Sequence, residues 1–176
     1  MTVLALDIGP TEFAASRVDS GVGTRDIQRI PIPADAVWDS CRDLLLDVAG
    51  DDEITAVGIA CPGPIDKMAG MITPALIPQW HRGFGIVAAV RRLFPVAAVE
   101  MATDGLCVTL TERNLGGVHH SEAILAGAGI LALLAAERMA RDTPPGFGAG
   151  QLTGHFHNRV DYRPVGRSLC GRYRPR

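Results

Sequence analysis

Lysine is almost absent from this 176-residue chain: Lys67 stands alone against sixteen arginines. The arginines are scattered until the C-terminus and the formal net charge is only -2, so nothing draws the chain as a whole toward nucleic acid or an anionic membrane. Cysteine is sparse too. Cys41, Cys61, Cys107 and Cys170 lie far apart and form no C-x-x-C pair, which fits buried or incidental thiols in a reducing cytosol. No apolar run reaches the roughly 18 residues of a membrane span. The N-terminus has neither the basic flank nor the cleavage site of a signal peptide, and no internal repeat is present. The expectation is a cytoplasmic protein that meets no membrane.

What is present is the material of a core. Apolar residues make up 47% and charged residues 20%, the balance of a soluble globular protein. The length suffices for one domain, or for one domain and part of another. Residues 2–8 (TVLALDI) are almost continuously apolar, as in a strand buried on both faces. Gly9, Pro10 and Thr11 break that run, and residues 13–18 form a strand returning alongside it. Residues 26–32 are a third strand, punctuated by Pro31 and Pro33. From 33 to 50 the apolar residues Val37, Cys41, Leu44, Leu45 and Val48 keep helical spacing, and Gly50 closes the helix. Residues 54–60 (ITAVGIA) form another buried strand, ending at the turn Cys61-Pro62-Gly63-Pro64.

After a loop-rich stretch, residues 85–94 read as a short amphipathic helix, 97–102 as a strand, and 104 to about 114 as a helix stopped by Gly116-Gly117. Residues 123–141 are ambiguous, apolar at first and then alanine-rich. Strands that return on each other and then alternate with helices predict an α/β layer with a mixed sheet. One domain is expected over residues 1–143. Residues 144–176 lose hydrophobic periodicity and gather arginines, which predicts a loose tail.

Four segments, in this order, resemble the ROK family (repressor, open reading frame, kinase). LALDIGPTEFAASRVD resembles the family's opening strand–turn–strand, usually D-I-G-G-T-K. VGIACPGPID at 57–66 resembles G-x-x-x-P-G-x-[IV]-D. PALIPQWHRGF at 74–84 resembles the stretch leading to a tryptophan, here Trp80. ATDGLCVTLTERNLGG at 102–117 resembles the family's N-D-A-N-A-A-A-L-G-E helix start. The resemblance implies an actin-like ATPase (ribonuclease H-like) domain and an ATP-dependent hexose kinase. Because Met1 leads straight into the first strand, the kinase branch is favoured over the repressor branch, whose members carry a helix-turn-helix before this part.

Family kinases transfer a γ-phosphoryl group to a sugar hydroxyl, which requires phosphates to be cradled, Mg²⁺ to be held and a base to be supplied. By resemblance Asp104 is the catalytic base, whereas its local sequence alone reads as an N-cap aspartate. Asp7 stands near the metal and phosphates, and Gly9 and Thr11 match the phosphate turn. Pro10 replaces a glycine there and removes an N–H, while Glu12 replaces a lysine. Pro62 and Gly63 would border the sugar, Thr103 replaces a sugar-binding asparagine, and Trp80 reads as a packing residue.

Gly127 and Gly129 are what remains of a second phosphate motif, with a core strand or helix as the other reading. His155 matches a sugar-contacting position, but the neighbouring zinc-knot pattern keeps only Cys170 of three cysteines, so no zinc is expected. ATP and Mg²⁺ are the implied cofactors and a hexose the implied partner, with a homo-oligomer left open and nucleic acid not expected. The family's second α/β domain has no counterpart here, so little or no kinase activity is expected, with a sugar-binding module as the alternative.

Overall fold

The computed structural model describes residues 2–18, 24–116 and 120–142. The expected tail, His155 and Cys170 lie outside the described residues.

β1 (Thr2–Ile8) and β2 (Glu12–Val18) form an antiparallel hairpin, and β3 (Thr24–Pro31) pairs antiparallel with β2. Helix α1 (Val37–Ala49) then crosses over to β4 (Ile54–Cys61), which lies parallel to β1 on its other side. The short strands β5 (Ile65–Asp66) and β6 (Met71–Ile72) make a separate small ribbon. A single 3-10 turn (Pro78–Trp80) and α2 (Ile86–Leu93) lead to β7 (Ala98–Thr103), parallel to β4. The chain continues into α3 (Asp104–Leu115) and α4 (His120–Asp142). The main sheet has the order β3-β2-β1-β4-β7. It is a mixed α/β sheet, as the sequence predicts.

The two faces of this sheet are built from different residues. On one face Leu4, Leu6, Ile8, Phe13, Val57, Ile59, Val99 and Met101 pack under Val37, Leu44 and Leu45 of α1 and Ile86 and Val90 of α2. Each large aliphatic side chain buried there contributes about 1.5–3 kcal/mol. Trp80 is buried in the same layer, stacked on Phe84 at 4.5 Å and beside Phe13 at 5.7 Å, so it is the packing residue the sequence suggests. Arg17 closes α1 by donating to the carbonyls of Val48 (2.7 Å) and Ala49 (2.9 Å), satisfying acceptors that a helix end leaves open.

The opposite face is mostly alanine, Ala5, Ala14, Ala56, Ala60 and Ala102 with Val3 and Val18, covered by Leu125, Ala128, Ala132 and Ala136 of α4. The ambiguous segment is therefore one 23-residue helix. It is long and apolar enough to cross a bilayer, with a mean hydropathy of 1.7 over 18 residues, although the sequence shows no unbroken apolar run of that length. Its buried alanines mark it as the core helix of this layer.

Here the expected second phosphate motif is corrected. Gly127 and Gly129 lie inside α4, where backbone amides serve the helix's own hydrogen bonds. A Cβ on Gly127 would sit 2.0 Å from the Cys107 carbonyl oxygen, and one on Gly129 would sit 2.9 Å from Val18. These glycines let α4 approach α3 and β2. Gly58 does the same from the sheet side, where a Cβ would stand 1.8 Å from the Ala128 carbonyl oxygen.

Candidate active site at the carboxyl ends of the parallel strands

β1, β4 and β7 run parallel, so their carboxyl ends open at one edge of the layer, the usual position for ligands in such sheets. Register fixes what meets there. Asp7, Ala60 and Ala102 lie side by side across the three strands, and Cys61 pairs with Thr103 one residue further on. β4 ends in the turn Cys61-Pro62-Gly63-Pro64, which contains a cis Gly63–Pro64 bond and a glycine at φ 91°, a conformation side chains with a Cβ rarely adopt. β7 passes directly into α3. Thr103 occupies the N-cap with no side-chain capping bond, and Asp104 is the first helical residue. Asp104 thus sits one place beyond the cap position that local sequence suggests.

The electrostatics bind these residues into one cluster. Burial pushes the Asp7 carboxyl up to about 7, the Asp104 carboxylate adds to the rise, Arg29 opposes it and Glu12 reinforces it. One Asp7 oxygen, Oδ1, is buried without a hydrogen-bond partner. Burial also raises the Cys61 thiol to about 11 against a hydrogen bond from the Gly63 backbone, and both Asp104 and Asp7 act on it. Cys107 is raised to about 12, first by burial and then by the same two carboxylates. Neither thiol is a thiolate near neutral pH, which removes both as nucleophiles.

Asp7, Asp104, Pro62, Gly63 and Thr103 therefore belong to one region, and Gly9, Pro10 and Thr11 form the adjoining β1–β2 turn. Gly127 and Gly129 do not join it. Sequence reasoning missed Arg29, the cation that acts on Asp7. The missing signal is strand register: Arg29 is twenty-two positions from Asp7, and only the β1–β2–β3 pairing aligns the two. Concavities of about 470 and 540 Å³ lie elsewhere, along β7 beside Arg91 and Glu100.

Asp7 could take part in holding a divalent cation, although no group of three His, Cys, Asp or Glu side chains stands together among the described residues. Mg²⁺ commonly takes one or two carboxylates and completes its shell with water and substrate phosphates, and the unpartnered Oδ1 of Asp7 suits that role. A backbone phosphate cradle needs free N–H groups. In the β1–β2 turn the Gly9 N–H donates to the Glu12 carbonyl at 3.0 Å, and Pro10 has none.

The Asp7 shift has a measurable consequence. Its carboxyl titrates near 7 in the fold and near 3.8 in the unfolded chain, so the folded state holds a proton that the unfolded state has released between those values. Its contribution to stability is full below pH 4, falls as pH rises toward 7, and is flat above. Because Asp7 is half-buried, the slope will fall short of the one-proton limit of about 1.4 kcal/mol per pH unit. Urea midpoints in metal-free buffer should drop between pH 5 and pH 7.5, and Asp7→Asn should flatten that drop. An equal drop in the variant would remove Asp7 as its source.

The model of the ROK family matches residues 3–130. The chain is 31% identical over 136 residues to kanosamine kinase of Amycolatopsis mediterranei, a match covering 72% of this chain and 43% of that protein. It is 28% identical over 170 residues to N-acetylmannosamine kinase of Citrobacter koseri, covering 86% of this chain and 59% of that one. The chain thus spans about half the length of the relatives it matches. Among solved structures it is similar in fold to a ROK family glucokinase from Streptomyces griseus in complex with glucose and AMPPNP, with a TM-score of 0.57 and 21% identity over 66% of this chain and 38% of that one. The α/β fold is the actin-like ATPase fold of those kinases.

Proposed function

The chain belongs to the ROK family, and on that premise we propose that it binds a hexose-type sugar at the carboxyl ends of β1, β4 and β7 and presents one hydroxyl to Asp104 for phosphoryl transfer. The observation that carries this reading is the pair of coupled carboxylates, Asp7 and Asp104, beside the Cys61–Pro64 turn. Asp104 takes the hydroxyl proton as the sugar oxygen forms its bond to phosphorus and the bond from phosphorus to the leaving oxygen breaks. Its place at the start of α3 sets it at the positive end of the helix dipole. Thr103, exposed and free of capping duty, is available to a second sugar hydroxyl. Pro62 and Gly63 form the wall.

Asp7 is the residue that would hold Mg²⁺, which when bound neutralises charge on the donor phosphates. ATP is the donor by kinship, since solved relatives include one with AMPPNP. The β1–β2 turn offers its phosphates neither the Gly9 N–H nor one at Pro10, and no step is routed through it. That same observation favours a second reading, sugar binding without transfer. The three described thiols are free and buried, in keeping with a cytosolic setting.

The test separates binding from transfer. Calorimetric titration with glucose, N-acetylmannosamine and an amino-hexose should give saturable heat with at least one sugar. A coupled assay with Mg-ATP and that sugar should then release nucleoside diphosphate. Binding without transfer selects the second reading, and no heat with any hexose overturns both.

A further inference from the structure

Directly paired residues in neighbouring strands project from the same face of a sheet. Arg29 pairs with Ala14, and Ala14 pairs with Asp7. The three form one row across β3, β2 and β1, with Ala60 and Ala102 extending it through β4 and β7. Arg29 and Asp7 are therefore two strand spacings apart, roughly 10 Å between backbones, with Ala14 between them buried under α4. The guanidinium therefore does not cross Ala14 and turns instead toward the β1–β2 end of the hairpin. At present it lies over the end of the hairpin, 3.4 Å from Glu12 Oε1, in a pair that is one-third to one-half exposed. Such a pair is weak and readily exchanged.

From this row we propose that Arg29 is the phosphate-contacting residue of the chain, held by Glu12 when the site is empty and released to a metal-bound polyphosphate at Asp7. The inference deepens the kinase reading and rests on it for the cation at Asp7. It follows from what the turn cannot do. Gly9 and Pro10 offer no free N–H, and the position that would carry a lysine in the family motif carries Glu12. A planar guanidinium donating two parallel hydrogen bonds is the side-chain substitute for a backbone cradle.

The reading gives the two partners of one ion pair opposite effects. Titration of the full chain with Mg²⁺-tripolyphosphate, followed by calorimetry, needs neither sugar nor Asp104. Arg29→Ala should weaken binding about tenfold or more, as for a lost hydrogen bond to a charged group. Arg29→Lys should recover part of that loss. Glu12→Gln should tighten binding about threefold, because it removes both a competitor for Arg29 and a repelling charge. Thermal melts should show all three variants folded. If both partners weaken binding together, the pair is structural and the proposal fails. It also fails if neither variant moves binding, or if the wild-type chain gives no heat with millimolar probe. Sugar binding that survives such a failure would leave the kinase reading standing. Lost sugar binding with intact tripolyphosphate binding would do the reverse.

Discussion

Gly58→Val will cost the chain its fold. The Cβ of any residue at position 58 would sit 1.8 Å from the Ala128 carbonyl oxygen, 2.8 Å from its carbon and 3.0 Å from the Ala132 nitrogen. All three are backbone atoms, so no rotamer change on α4 relieves the clash, and the helix must move off β4. Overpacked cores commonly lose 1–3 kcal/mol through side-chain adjustment. Here a whole helix gives way, and the loss should exceed about 3 kcal/mol, a large part of the 5–15 kcal/mol that holds a domain together. Gly58→Ala should lower the melting temperature by more than about 10 °C, and valine should abolish the cooperative transition. Gly105→Ala is the control, because nothing lies within 4 Å of a Cβ there. It should leave the melt unchanged or slightly raised through helix propensity. If Gly58→Ala melts like the control, α4 is not seated as described.

Asp104→Asn should produce the largest functional effect. An asparagine keeps the shape and cannot accept the hydroxyl proton. Transfer should fall by about 10²–10⁴, equivalent to about 3–5 kcal/mol of barrier. Sugar affinity should change much less, so kcat should fall at nearly constant KM, the pattern of an interaction made in the transition state. The same substitution removes a charge that helps raise Asp7, so the pH midpoint of the Asp7 stability profile should move down in the variant. Full transfer in the variant would exclude Asp104 as base, while an unmoved Asp7 midpoint would show the two carboxylates to be uncoupled.

How much of this was legible in the sequence depended on side-chain size. β1 was read at its observed limits, and β2, β4, α2 and α3 within a residue or two, because Gly, Pro and Asp mark where these elements begin and end and, in β1, β4 and α2, Val, Leu and Ile mark burial. The alanine face gave no such signal. In residues 123–141 alanine and glycine fill 9 of 19 positions, and neither marks which side of an element faces inward. A loop with two glycines and a tight helix with two glycines then look alike, and that is why Gly127 and Gly129 read either as a phosphate motif or as part of a core element. The position of Asp104 was legible to within one residue, because a Thr-Asp pair before a helix leaves the cap to either. Arg29 was not legible at all, since its relation to Asp7 exists only after three strands have paired in register.

The sheet's unlike faces also bear on the order of events during folding. The aliphatic face can collapse onto α1 early, since β1, β2, β3, α1 and β4 follow one another closely in sequence and large side chains reward even loose contact. The alanine face rewards only close contact, and its cover, α4, comes last among the described elements and must find β1 from more than a hundred residues away. Long loop closure with a small reward per contact slows such a step. During synthesis, the half that docks α1 would form first and wait with a shallow, weakly apolar surface, a poor target for misassociation. Docking of α4 would then be the event that arranges the backs of Asp7 and Asp104.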